Sequence, residues 1–172
     1  GAAALGSPFT AYAQTKVWRI GYLDSGSRQS TADSGRYAAF IEGLRERGYV
    51  DGKTIALDAR YADGSADRAD ALAAELVRQK VDLIALFGVV AGHAAKRATA
   101  TVPIVVISTA DPVGTGLVAS LARPGGNITG MSSGNDEIVQ KLVELLLVVA
   151  PKLQRIAVIT NPASRAHPPQ LS

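Results

Sequence analysis

The chain has 172 residues, 47% hydrophobic and 19% charged, enough for one globular domain with a real core. Its net charge is only +3, and its Lys and Arg residues are dispersed rather than striped with aromatics, which argues against a nucleic-acid partner. It contains no cysteine, so disulfides, thiol catalysis, a Cys-based zinc site and a lipid-bearing cysteine within these residues are excluded.

Residues 1–13 are uncharged, small and apolar, and Ala11-Tyr12-Ala13 before Gln14 fits the A-x-A pattern of a signal-peptidase site. They are expected to be the remnant of a signal peptide, with the protein exported to the periplasm. A disordered apolar N-terminus is the plainer alternative. No run reaches the ~18 apolar residues of a membrane span, so a membrane-embedded protein is not expected.

Residues 18–23 read as the first strand, leading into the hydroxyl-rich loop Asp24-Ser25-Gly26-Ser27. Asp33 or Ser34 is placed to cap the next helix, whose apolar face is Tyr37, Phe40, Ile41 and Leu44. Gly48 sits where a left-handed C-cap belongs. Residues 55–61 alternate apolar and polar, as a strand near a sheet edge does. Ser65 can cap a second helix with Ala69, Leu72, Ala73, Leu76 and Val77 on its buried face.

Residues 82–87 are almost wholly apolar, the pattern of a central parallel strand. Gly88-Val89-Val90 turns into a third helix whose small face is Ala91, Ala94, Ala95 and Ala98. Residues 104–107 form a buried strand that ends in the polar turn Ser108-Thr109-Ala110-Asp111-Pro112. A short helix and a glycine-rich return are expected to follow, with another strand around Ile128. Residues 136–149 read as a strongly apolar helix ended by Pro151, residues 155–160 as a sixth strand, and residues 161–172 as a proline-rich loop.

Strands alternating with helices give an α/β fold, a doubly wound parallel sheet with helices on both faces. Arg19-Ile20 opens the first strand and Arg155-Ile156 the last, each strand running into a small polar turn, which fits either a chance match or a second lobe that starts as the first does. The helix carrying Leu142, Val143, Leu145, Leu146, Leu147, Val148 and Val149 is apolar on nearly all sides and needs cover on more than one face. The chain is therefore expected to stop soon after a second lobe begins.

Three of the loops lie at the carboxyl ends of strands, where open α/β sheets bind ligands. Helix N-termini there offer free N–H groups to a carboxylate. The candidate ligand-binding residues are Ser25, Gly26, Ser27, Gly88, Val89, Val90, Ser108, Thr109 and Asp111. Serine and threonine hydroxyls can donate to a carboxylate, and Asp111 can pair with an ammonium. Turn chemistry explains the serines equally well, and Asp111-Pro112 also fits an N-cap with proline at the first helical position.

Gly114-Thr115-Gly116-Leu117-Val118-Ala119 matches G-x-G-x-x-A but lies late in the sheet, whereas a dinucleotide fingerprint occupies the first strand-to-helix turn. No cofactor and no metal are expected: His93 and His167 have no partner at metal spacing, and His93 is expected to face solvent. Asn127-Ile128-Thr129 is a glycosylation sequon by pattern only, and Arg45, Glu46 and Arg47 read as a solvated helix face.

Several stretches carry a resemblance. They are residues 19–23 (RIGYL), 43–52 (GLRERGYVDG), 73–77 (AAELV), 102–105 (VPIV), 111–114 (DPVG), 116–130 (GLVASLARPGGNITG) and 155–162 (RIAVITNP). In these the chain resembles the substrate-binding proteins of bacterial ABC importers, in particular the tryptophan/aromatic-amino-acid-binding-like group, over residues 17–166. The resemblance implies a periplasmic-binding-protein-like fold of two lobes closing about a hinge. Residues 14–132 would be lobe one, and residues 133–172 the start of an incomplete lobe two. It implies a non-enzymatic protein that holds a small, amino-acid-like ligand between the lobes and delivers it to ABC permease subunits. One departure stands out: after the third strand the group usually carries a hydroxyl residue and a proline, where this chain reads Gly88-Val89-Val90. Two other readings remain open at this stage, a truncated non-binding gene fragment and a flavodoxin-like or receiver-like regulatory domain.

Overall fold

The computed structural model describes residues 16–133, 135–152 and 155. Five strands, β1 (Trp18–Asp24), β2 (Ile55–Tyr61), β3 (Leu83–Phe87), β4 (Ile104–Thr109) and β5 (Ile128–Ser132), form one parallel sheet in the order β2-β1-β3-β4-β5. Helices α1 (Arg28–Asp33) and α2 (Arg36–Glu46) connect β1 to β2, α3 (Ala66–Arg78) connects β2 to β3, and α4 (Val89–Ala98) connects β3 to β4. Helix α5 (Asn135–Val149) follows β5.

The chain steps outward from β1 to β2, then crosses back to β3 on the other side of β1. Right-handed crossovers in opposite directions place helices on opposite faces. Leu23, Ile84, Leu86, Ile104, Val106 and Ile128 pack with Ala69, Ala73 and Leu76 of α3 and Ala91, Ala94 and Ala95 of α4. On the other face Ile20, Tyr22, Ile55 and Ala85 meet Tyr37, Phe40 and Leu44 of α2. Ile84 and Leu86 point one way and Ala85 the other, the period of two expected of a strand buried on both sides.

The alanine-rich faces let α3 and α4 lie close to the sheet and to each other. A Cβ at Gly21 would fall 2.9 Å from the Leu76 methyls, and one at Gly92 would fall 2.9 Å from Leu117 Cδ2. β2 is an edge strand, as its alternating pattern implies. Gly48 has φ +82°, and the Tyr49 N–H donates to the Leu44 carbonyl, closing the C-terminus of α2. Ser65 caps α3 through a bond from the Arg68 N–H.

Three local expectations are corrected. Neither Asp33 nor Ser34 caps α2, whose N-cap is Gly35 with no side-chain bond. A separate short helix, α1, precedes it: Ser27 and Ser30 cap each other's backbone amides at its start, and Ser34 ends it. Between β4 and β5 there is no helix, only turns over residues 112–116 and irregular chain to Ile128. Gly114 and Gly116 each cost a helix about 1 kcal/mol, and Gly116 adopts φ +72°. His93 is half-buried on α4 rather than solvent-facing.

Helix α5 exposes Leu142, Leu145, Leu146, Leu147, Val148 and Val149. Among the described residues no helix is long and apolar enough to cross a membrane. The expected leader, the expected sixth strand beyond Arg155 and the expected proline-rich loop lie outside the described residues.

Gly130 sets the approach of β5 to β4. It has φ +145°, and a Cβ there would lie 2.6 Å from the Val106 nitrogen, 2.7 Å from the Val106 Cβ, and against the Val106 carbonyl oxygen. Gly130→Ala is expected to lower stability by about 2 kcal/mol or more, read as the urea midpoint. An unchanged midpoint would show that β5 can shift without cost.

Candidate functional site

Asp24 is in register with Tyr61 on one side and Phe87 on the other, and Phe87 is in register with Ser108. Four strands therefore end in one row, and the loops leaving β1, β3 and β4 stand side by side at the carboxyl edge. The strand order reverses direction between β1 and β3, the place where open α/β sheets bind ligands outside their carboxyl ends.

The base of this edge is an ionic network. The Asp24 side chain is fully buried. It accepts hydrogen bonds from Arg36 Nε at 2.9 Å and Nη2 at 3.0 Å, from the Gly26 N–H at 2.7 Å and from the Tyr22 hydroxyl at 2.9 Å. Arg36 spends its other donors on Thr31 Oγ1 at 2.9 Å, Ser34 Oγ at 2.7 Å and the Ser30 carbonyl at 3.4 Å. Its guanidinium carbon also lies over the Phe87 ring, 4.4 Å from the centroid, a cation–π contact. Burial alone would push the Asp24 carboxyl up. Hydrogen bonds from Arg36, the Gly26 amide and Tyr22 outweigh it and hold the group below the usual carboxylate range. Burial, then the bond to Asp24, pushes the Tyr22 hydroxyl well up.

The loop after β1 is built on this base. Gly26 is packed so that a Cβ would lie 2.8 Å from Ser30 Oγ and 3.1 Å from Arg36 Nη2. The Ser25 N–H donates to the Phe87 carbonyl at 3.0 Å. Ser25 Oγ accepts from the Ala91 N–H at 2.9 Å, so a serine from one loop caps the helix that starts in another. Gly88 makes this possible: it has φ +90°, and a Cβ there would fall 2.6 Å from Ser25 Oγ. The Gly88 N–H donates to the Ser108 carbonyl, tying the third loop to the second.

Among the described residues the N–H groups of Val89 and Val90, the first two of α4, have no hydrogen-bond partner. Nor has the half-buried Ser108 hydroxyl. The structure thus brings Ser25, Gly26, Gly88, Val89, Val90 and Ser108 onto adjoining loops. The other candidates have local roles. Ser27 is the N-cap of α1. Thr109 is buried, with its hydroxyl on the Ala110 carbonyl and its own carbonyl bonded by Ser133. Asp111, at φ +28°, accepts from the Gly114 N–H through Oδ1 at 2.7 Å and caps a turn rather than a helix.

The sequence reading gave no site role to Arg36, Tyr22 or Thr31, and took Ser34 only as a helix cap. A signal was present: Tyr22 and Asp24 share one strand face, and an arginine follows in the first turn of a nearby helix. The G-x-G-x-x-A motif lies in turns, with no helix after it to form a phosphate cradle, and its Leu117 is a core residue. Asn127 spends its side-chain amide on the Thr99 and Val102 carbonyls. Arg45 and Glu42 form an exposed ion pair. A receiver-like phosphoacceptor needs an accessible acid after the first strand, and Asp24 is buried and paired.

The family model for the ABC transporter substrate binding protein matches residues 30–171. The chain belongs to that family. The tyrosine-binding protein of Clostridioides difficile (strain R20291) is 37% identical over 122 residues, covering 71% of this chain and 35% of that protein. The structure is similar to an ABC domain in complex with L-Trp from Streptococcus pneumonia, with TM-score 0.70 and 30% identity over 80% of this chain and 45% of that one. It is also similar to the ligand-free, open structure of a substrate binding protein with adhesive properties from Clostridium difficile, with TM-score 0.66 and 32% identity over 79% of this chain and 45% of that one. This substrate-binding-protein chain thus spans 35% of the curated relative and 45% of each of these solved chains.

Two outcomes follow from the network and the cap. Folding favours ionised Asp24, so its contribution is complete above about pH 4 and is lost as pH falls through the lower folded value. The urea midpoint should decline on that acid side, and Asp24→Asn should reduce the slope; equal slopes would remove Asp24 from the account. Gly88→Ala should displace Ser25 and cost about 1–3 kcal/mol, with the Ala91 amide exchanging faster in hydrogen-exchange measurements. Unchanged protection of Ala91 would mean that the cap survives an added methyl.

Proposed function

We propose that this chain forms one wall of the ligand cleft in an exported ABC-importer substrate-binding protein that captures an amino-acid-like solute and passes it to a permease. The observation that carries this reading is the pair of unpartnered Val89 and Val90 amides at the N-terminus of α4, next to Gly88, whose N–H bonds the Ser108 carbonyl. Two converging N–H groups at the positive end of a helix suit a carboxylate. Ser25 Oγ already accepts from Ala91, and its own O–H remains available to donate to the same anion. Asp111 keeps Oδ2 for an ammonium group, since the Gly114 amide takes Oδ1. The relatives support this ligand class, one being a tyrosine-binding protein and one a complex with L-Trp.

In this reading residues 14–132 are the first lobe and residues 133–172 begin the second, which closes over the ligand. The protein works without enzymatic chemistry. With Val89 and Val90 where the group usually carries a hydroxyl residue and a proline, this wall recognises the carboxylate through the backbone, and aliphatic side chains flank it.

Titrating L-tyrosine or L-tryptophan into the isotopically labelled chain should move the amide resonances of Val89, Val90 and Ser108. Tyramine, which lacks the carboxylate, should leave them in place. No movement with any amino acid would sink the ligand class, and equal movement with tyramine would sink the carboxylate site at α4.

A further inference from the structure

Arg36 makes no contact that requires a ligand, yet it touches Asp24 and Phe87, the strand-end residues from which both loops of the proposed carboxylate site leave. On one side it holds Asp24 in a two-point ion pair and binds Ser30, Thr31 and Ser34, which fixes α1 and the loop containing Ser25 to Ser27. On the other its guanidinium carbon lies over the Phe87 ring, 4.4 Å from the centroid, and Phe87 is the residue before Gly88 and the start of α4. The backbone repeats the link, since the Ser25 N–H bonds the Phe87 carbonyl and Ser25 Oγ bonds the Ala91 amide. Its hydrogen bonds to Asp24, Ser30, Thr31 and Ser34 use all five guanidinium N–H donors, so Arg36 has none left for a solute.

We propose that Arg36 is a positioning residue for ligand binding, bridging the loop after β1 and the loop after β3 so that Ser25 and the Val89 and Val90 amides face one point. The proposal rests on the carboxylate reading of α4 given above. Its physical basis is geometric. A planar guanidinium can engage a carboxylate edge-on and an aromatic ring face-on at once, whereas an ammonium cannot do both. A side chain that fixes two loops lowers the cost of ordering them at the moment of binding.

Two variants separate the halves of the bridge. Arg36→Lys keeps the charge but loses the two-point pairing and the guanidinium–ring contact. Phe87→Leu keeps the Asp24 ion pair and removes the ring contact alone. Both are expected to weaken L-tyrosine or L-tryptophan binding about tenfold or more by calorimetry. In the ligand-free state both should speed hydrogen exchange at Ala91 without a matching change at core amides such as Ile84. A merely structural role would lower protection everywhere and leave affinity unchanged at temperatures where the variant is folded. Native affinity together with native Ala91 exchange in folded Phe87→Leu would overturn the bridge even if Arg36→Lys fails to fold. If the wild-type chain binds neither amino acid, the carboxylate reading fails, and the ligand-free Ala91 exchange still decides whether Arg36 and Phe87 position the two loops.

Discussion

The carboxylate of Asp24 occupies the last position of the first strand, out of reach of water, and an ionised group there costs several kcal/mol unless it is fully bonded. Four hydrogen bonds meet that demand, from three parts of the local chain: the strand itself through Tyr22, the following loop through Gly26, and the second helix twice through Arg36. Removing one partner of such a pair typically costs about 3–5 kcal/mol, since the other is left buried and charged. That cost keeps α1, α2 and the end of β1 in one arrangement. Everything at the carboxyl edge inherits its position from there: Ser25 reaches Ala91 because Asp24 and Gly26 set the loop, and Gly88 leaves room for it.

The sheet supplies the rigid floor for this arrangement. Its central strand β3 is apolar on both faces, and the alanines of α3 and α4 bring those helices close enough for Leu76 and Leu117 to fill the space over Gly21 and Gly92. Close packing of this kind resists small displacements, so a loop anchored to the strand ends is held firmly. The second face is more aromatic. Tyr22 meets Tyr37 edge-to-face with ring centroids 4.9 Å apart and lies 5.5 Å from Phe40, so the residue that bonds Asp24 is itself wedged in the α2 interface. The ionic network and the apolar core therefore share a side chain.

Much of this order is legible along the chain. Apolar runs, alternation in residues 55–61, Ser65 and Gly48 locate the five strands, helices α2 to α5 and the sheet edge, because burial and capping act on neighbours a few residues apart. The helix expected after Asp111 is absent, since glycines at 114 and 116 favour turns and Asp111 can cap a turn as readily as a helix. Helix α1 escapes the pattern since it is short, polar and carries no apolar period; only its reciprocal serine caps mark it. Family membership was legible too, through the run from residue 102 to residue 130.

By itself the sequence determined the α/β class, the alternation of strands and helices, the loops that gather at one edge, and the likeness to substrate-binding proteins. Tertiary structure decided which of the candidate residues are at liberty. Ser25, Ser27, Thr109 and Asp111 look alike as polar residues in turns, yet the first caps a distant helix, the second caps its own, the third is buried and the fourth closes a turn. The pairing of Asp24 with Arg36, and of Ser25 with Ala91, spans loops that meet only when the sheet has formed. Hydrophobic period is a local property that a linear chain displays. The partner of a polar group is a property of three-dimensional closure, and it decides which donors remain for a ligand.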